Sequence, residues 1–236
     1  MSGGIRRLGK RLDQDARARL AKGYIEETDE MKLFRYSEEG KVDLDLYRQL
    51  QTEANKMKIE NQWVPEAHIR LLATYLLARG AQVRTGICHG TRRGNEQAWF
   101  RQHLGGGAKV IGTEISDAAT QFPDTIQWDF HEVDPAWVGK TDLVYSNSWD
   151  HSYDPELAFG QWISCLGEGG HMLLDHSAGH EPGRANAMDP FGITEAGLVK
   201  MLDRVGAGVG RVVEVIDGAR HKALPIRTVV FQRDKR

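Results

Sequence analysis

The chain has 236 residues, of which 40% are apolar and 27% charged, and a net charge of −2. That length supports one sizeable domain with a small appendage, and the near balance of charge gives no global pull toward nucleic acid or a membrane surface. Two cysteines, Cys88 and Cys165, cannot build a disulfide framework; no apolar run reaches membrane-spanning length and the N-terminus lacks the apolar stretch of a secretory signal, so a cytoplasmic protein is expected.

Residues 1 to 23 are basic, with Arg6, Arg7, Lys10, Arg11, Arg17, Arg19 and Lys22 against Asp13 and Asp15. Ile5, Leu8, Leu12, Ala16 and Leu20 recur at near-helical spacing. The stripe is thin and carries no large aromatic, so a helix laid on the body is expected rather than one that seeks lipid or nucleic acid. Residues 24 to 62 are polar and read as an accessory helical layer. The expected organisation is a helical N-terminal extension over 1–64 and an α/β domain over 65–236.

From Pro65 the pattern is strong. Ile69, Leu72, Ala73, Leu76 and Leu77 form a helical stripe that Gly80 ends. "AQVRTGICHG" is a strand running into a loop. "NEQAWFRQHL" is a helix closed by Gly105, Gly106 and Gly107. "AKVIGTEI", the shorter "TIQWDF" and "TDLVYSNS" are strands. A helix opening at Asp154 to Glu156 carries Phe159, Trp162, Ile163 and Leu166 on one face and is expected to stop at Gly167. "HMLLDHS" is a strand, Thr194 caps a helix with Leu198, Met201, Leu202 and Val205 on one side, and "RVVEVID" and "RTVVFQR" close the chain as strands. This order predicts an α/β fold: a Rossmann-like, doubly wound, mainly parallel sheet with a late antiparallel hairpin. Ligands of such sheets bind beyond the carboxyl ends of the strands.

Those ends carry the chemistry. In "GICHGTRRGNE", Gly86, Gly90 and Gly94 either let the backbone approach a ligand or only turn the chain, and amides at the following helix start favour an anionic group. The spacing matches neither G-x-G-x-x-G nor a P-loop. Glu114 can accept from both hydroxyls of a ribose. Asp129 can take an exocyclic amine of a base, with Trp128 or Phe130 stacking on it. Ser146 and Asn147 offer hydrogen bonds at the reactive end. His151 is either a general base or a hydrogen-bonded loop residue, and Asp150 orients it or binds substrate. Asp175, His176 and His180 could join Asp150 or His151 around a metal, but the glycine-rich loop there reads better as a substrate lid, so no metal is expected.

In order and placement these pieces, about 170 residues from Pro65 onward, resemble class I S-adenosylmethionine-dependent methyltransferases. "GICHGTRRGNE" stands at the glycine-rich first motif, "VIGTEI" at the second, "IQWDF" at the third, "DLVYSNSWDHSYDP" at the fourth, and "LGEGGHMLLDHS" at the passage that follows. The first motif departs from the family: Gly86 stands for its acid, Cys88 for its first glycine and Arg92 for its third, and only Gly90 remains. The "GTRRGNE" form is similar to that of a divergent branch that methylates sugars and small metabolites, with FkbM-like relatives. The resemblance implies S-adenosyl-L-methionine as cofactor, bound by Gly86, Cys88, His89, Gly90, Thr91, Arg92, Glu96, Glu114, Ile115, Asp129, Phe130, Ser146 and Asn147. Glu96 would take the cofactor's amino group in place of the missing acid. His151 and Asp150 would be catalytic, and the expected acceptor is an oxygen or nitrogen of a small-molecule or carbohydrate-like substrate. Two other readings share parts of the pattern. An NAD-linked oxidoreductase would also use the ribose acid but lacks G-x-G-x-x-G, and a non-catalytic binding protein could retain the fold. Nucleic acid is not an expected partner, since no basic and aromatic stripe supports it. Nothing in the residues reports the oligomeric state.

Overall fold

The computed structural model describes residues 3–38, 41–222 and 224–235. The side chains of Ile5 and Arg6, part of the expected N-terminal helix, lie outside the described residues. Two short helices, α1 (Gly3–Gly9) and α2 (Gln14–Leu20), begin the chain, and Asp13 caps the second by accepting from the Ala16 amide at 2.8 Å. Strands β1 (Tyr24–Glu27) and β2 (Met31–Arg35) pair antiparallel, and β3 (Ser37–Glu38) pairs with β4 (Lys41–Val42). Helix α3 (Leu44–Met57) follows, capped by Asp43. The described residues before α4 thus hold three helices and two antiparallel strand pairs.

The remaining elements alternate as the periodicity predicts. They are α4 (Glu66–Ala78), β5 (Thr85–His89), α5 (Asn95–Leu104), β6 (Lys109–Glu114), β7 (Thr125–Gln127), β8 (Thr141–Ser146), α6 (Pro155–Cys165), β9 (Leu166–His176), β10 (Phe191–Ile193), α7 (Glu195–Val205), β11 (Gly210–His221) and β12 (Leu224–Arg233). The main sheet runs β11-β12-β9-β8-β5-β6-β7. Strands β5 to β9 are parallel, and β12 is antiparallel to both β9 and β11. The chain moves outward from β5 to β7, then returns to place β8 on the other side of β5. The strand order therefore reverses between β5 and β8, which leaves a crevice beyond their carboxyl ends.

Two expected boundaries move. Strand β7 stops at Gln127: the Trp128 amide makes the last bond to β6, to the Glu114 carbonyl at 2.9 Å, and the chain then leaves the sheet. Helix α6 ends at Cys165, and Leu166 already has extended backbone, so Gly167 belongs to β9 and does not stop the helix.

The central strands are buried on both faces, as a doubly covered sheet requires. Val144, Met172, Leu174, Val229 and Phe231 face α6 and α7, where they pack with Phe159, Trp162, Leu198 and Leu202. Their neighbours Leu143, Tyr145, Leu173 and Val230 face the opposite way, toward Ile69, Leu72, Leu76 and Phe100 of α4 and α5. A third cluster joins Leu8, Leu12, Ala16, Tyr36, Leu46, Tyr47, Leu50 and Ala54 to Met188, in the loop after β9. That loop is held from below as well, since β10 adds to the edge of β2 and the Tyr36 hydroxyl donates to the Ala187 carbonyl at 2.7 Å. The N-terminal segment and this loop together cover the crevice. Among the described residues no helix is long and apolar enough to cross a membrane.

Candidate functional site

Strand β5 ends at His89 and is followed by Gly90, whose φ of +73° is in the left-handed region; a Cβ there would sit 2.6 Å from the Ser148 Cβ. The chain therefore passes hard against the end of β8. The Gly90 and Thr91 amides both donate to the Thr113 carbonyl, at 2.8 and 3.1 Å, so β6 consumes two donors that a wider glycine loop would turn to a ligand. Arg92 also takes a positive φ, 47°. Its amide donates to Glu114 Oε2 at 3.2 Å and its guanidinium to the Asn61 carbonyl at 2.7 Å.

Three connected cavities lie over the strand ends. The first is lined by Gly90, Glu114, Ile115 and Phe130 and, from α3, by Tyr47, Gln51, Ala54 and Asn55. The second is lined by His89, Thr91, Glu96, Tyr145 and Asn147 with Asn61 to Val64. The third is lined by Lys58, Asn147, Asp150, His151, His180 and Asp189. Arg92 and Ser148 line all three, so they form one cleft at the strand-order reversal.

Most of the predicted residues meet in this cleft. Glu114 accepts from the Ser116 amide at 3.1 Å as well as from Arg92. Burial raises its pKa, against which those amides and the Arg92 charge work. Glu96 accepts from Gln62 Nε2 at 3.0 Å through Oε1, while its buried Oε2 has no partner. Burial pushes this carboxyl up to about 7. His89 stacks on Trp162 with ring centroids 4.6 Å apart, and its Nδ1 meets Thr113 Oγ1 at 2.8 Å. Burial, aided by His131, lowers its pKa to about 3, so the ring is neutral. Buried polar atoms left without a partner recur along the cleft: Asn55 Oδ1, His89 Nε2, Thr91 Oγ1 and Glu96 Oε2.

Four predicted residues are not brought into it. Gly86 is inside β5 between Val110 and Leu143, and Cys88 is wholly buried in the α4–α5 core. Ser146 is buried, donating to the His89 carbonyl at 3.1 Å and accepting from the Ser148 amide at 3.0 Å. Asp129 lines a separate open groove with Arg48. Its carboxylate faces His131 Nδ1 at 2.7 Å and accepts from Arg48 Nε at 3.2 Å. Burial raises its pKa, but these two partners hold it below the usual carboxylate range.

The residues near 176 are also committed elsewhere. Asp175 is fully buried against His68 Nε2 (2.9 Å) and accepts from Tyr145, Thr228 and Asn147. His176 Nε2 donates to the Ile193 carbonyl, and His180 Nε2 to the Asn147 carbonyl. His151 instead opens onto the third cavity beside Asp150, whose carboxyl burial pushes up to about 7. The sequence reading missed Tyr47, Gln51, Asn55, Lys58 and Asp189. The first three fall at i, i+4 and i+8 on α3, a polar row beside apolar Leu46, Leu50 and Ala54, and that row is the signal that marks them.

No protein-family model and no curated protein matches the chain. Solved structures match its fold. The Burkholderia thailandensis 1,6-didemethyltoxoflavin-N1-methyltransferase, with 1,6-didemethyltoxoflavin and S-adenosylhomocysteine bound, superposes with a TM-score of 0.63 at 16% identity, covering 90% of this chain and 99% of that one. The [4+2]-cyclase SpnF gives 0.58 at 10% identity, covering 79% and 97%. The N-methyltransferase NodS of Bradyrhizobium japonicum WM9, in complex with S-adenosylhomocysteine, gives 0.53 at 14% identity, covering 78% and 98%. The chain has the fold of class I S-adenosylmethionine-dependent methyltransferases. A cyclase on the same fold means that the reaction must be argued from the site.

Proposed function

We propose that this protein is an S-adenosyl-L-methionine-dependent methyltransferase acting on an oxygen or nitrogen of a small, polar, carbohydrate-like acceptor. The observation that carries the reading is the pair of buried carboxylates in one cleft, Glu114 at the end of β6 and Glu96 with a free Oε2. Glu114 keeps lone pairs for two ribose hydroxyls. Glu96 Oε2, desolvated and unpaired, is matched to an ammonium group, and Thr91 Oγ1 lies in the same cavity. Asn55 Oδ1, with Ile115 and Phe130, suits the amine edge and the face of a purine, which takes over the place expected for Asp129. The cofactor, when bound, supplies a methyl group already made electrophilic by its sulfonium.

The chain's own residues then hold the acceptor in line, which is chiefly an orientation effect. Asn147, Asp150, His151 and Asp189 make the third cavity rich in hydrogen-bonding groups. This favours a polyhydroxylated or amine-bearing acceptor; that the acceptor is a small molecule is supported by the Burkholderia protein, which holds 1,6-didemethyltoxoflavin. An oxygen acceptor's proton leaves at the Asp150–His151 end. Thermal shift with S-adenosylhomocysteine against NAD tests the reading: stabilisation by the former alone is expected. Stabilisation by NAD would favour an oxidoreductase, and a shift with neither a non-catalytic protein. His151→Ala should lower turnover about 10²- to 10⁴-fold with cofactor affinity kept.

A further inference from the structure

The acceptor end of the cleft gathers possible ligand atoms from three side chains, Asp150, His151 and Asp189. Gln51 Nε2 donates to the Met188 carbonyl at 3.1 Å and toward the Tyr36 hydroxyl at 3.4 Å, which turns its Oε1 to His151. His151 Nδ1 meets that oxygen at 2.7 Å, so Nδ1 carries the ring proton and Nε2 presents a bare lone pair. This lone pair faces Asp189 Oδ1 at 3.5 Å and Asp150 Oδ1 at 4.0 Å. Asp150 is only 9% exposed, no other described residue donates a hydrogen bond to its carboxylate, and it lines the third cavity. Its other close neighbour, His180 Nε2 at 3.9 Å, already donates to the Asn147 carbonyl. Acceptors converging on one point repel one another, and among these three only Asp189 has a cation at hand, Lys58 Nζ at 3.2 Å.

We propose that Asp150, His151 and Asp189 bind a divalent transition cation of the Mn²⁺ or Zn²⁺ type at the acceptor end of the cleft. The three ligand atoms lie within 4.8 Å of one another. Atoms about 2.1 Å from a shared ion are at most about 4.2 Å apart, so small side-chain rotations complete the set. One imidazole nitrogen with two carboxylates suits these ions better than Ca²⁺ or Mg²⁺, which prefer oxygen alone. Gln51 is the outer partner that fixes the ring of a metal-bound histidine. Two fixed cations face the same cavity. Arg92 is one, and Lys58, 3.2 Å from Asp189 Oδ1, is the direct competitor. Its side chain is 27% exposed and can turn to solvent. A cation there would acidify an acceptor hydroxyl at its open positions. That role rests on the methyl-transfer reading; the binding does not.

Metal-stripped full-length protein is titrated with MnCl₂ by electron paramagnetic resonance and with ZnCl₂ by calorimetry. One equivalent should bind. Asp150→Asn and Asp189→Asn should each weaken binding at least about tenfold, and Lys58→Gln should tighten it. No saturable binding up to about 1 mM, or equal affinity in the Asp150→Asn and Asp189→Asn proteins, overturns the site. If S-adenosylhomocysteine still binds in that case, only the metal site is lost. Metal binding that meets these expectations without S-adenosylhomocysteine binding supports the site and removes the methyl-transfer reading alone.

Discussion

Glu96 offers a test that reads both folding and binding. A carboxyl moved from 4.5 to about 7 carries a penalty on its ionised form on the order of 3 kcal/mol. The folded chain holds this proton more tightly than the unfolded chain does. The contribution of Glu96 to stability is therefore greatest below pH 4.5, falls as the pH rises from 4.5 to about 7, and levels off above that. Glu96→Gln keeps the shape and an acceptor for Gln62, and removes the ionisation. At pH 8 the variant should be more stable by about 1–3 kcal/mol, or several degrees in Tm for a chain of this size. At pH 5 the two proteins should nearly coincide. With ligand the order reverses. If Oε2 takes the ammonium of S-adenosylhomocysteine, affinity in the unaltered protein should rise about tenfold between pH 6 and 8 as Glu96 ionises. In Glu96→Gln that rise should vanish, with affinity at pH 8 about 10- to 100-fold weaker. Thermal denaturation and calorimetric titration at both pH values measure these quantities. An unchanged pH slope of affinity in the variant would refute the placement of the ammonium at Glu96.

Three further outcomes follow from the same geometry. Glu114→Ala leaves the Arg92 and Ser116 amides without their acceptor and should weaken S-adenosylhomocysteine binding at least about tenfold; undiminished affinity by calorimetry removes the ribose assignment. Gly90→Ala combines a left-handed φ with a 2.6 Å approach to Ser148 and should cost on the order of 2–4 kcal/mol, seen as a lower urea midpoint; a midpoint within error of the parent's would mean that the β5 turn relaxes freely. Asp175→Ala strips the buried partner of His68, Tyr145 and Thr228 and should cost about 3–5 kcal/mol. Burial raises the pKa of Asp175, but His68 and these hydrogen bonds hold it below 3.8, so its contribution is present above pH 3.8 and lost as the pH falls below it. A variant as acid-stable and as heat-stable as the parent contradicts this.

The sheet was legible because its strands are apolar on both faces and its helices carry caps that act locally. Asp154 and Thr194 each accept from an amide three residues on, whatever the rest of the fold does. The site was only half legible, for a different reason. Position along a strand places a side chain at the carboxyl end, but it does not say which neighbour will claim it. Asp129 stands where a base-binding acid would, yet Arg48, far earlier in the chain, takes its outer oxygen. Asp189 reaches His151 only because β10 pairs with β2 and folds the loop back. Helix α3 buries a polar row beside its apolar one, so its periodicity is clear but its overall hydropathy is low, and a reading that looks for apolar content passes over it.

This places α3 within the cleft itself, and the idea can be separated from mere cover. Leu50 of α3 and Leu198 of α7 are both fully buried, in different clusters. Truncating either to alanine should cost about 2–5 kcal/mol, because each leaves a cavity the surroundings fill only in part. Helix α3 carries residues that line the first cavity, Gln51, Ala54 and Asn55 among them, whereas α7 lines none of the three cavities. Loosening α3 should therefore weaken S-adenosylhomocysteine binding by about three- to tenfold, since a competent cleft must first be reassembled. Leu198→Ala should leave affinity unchanged at a temperature where both variants are folded. Equal affinities for the two variants would mean that α3 only shields the strand ends, and that the contacts assigned to Asn55 belong elsewhere.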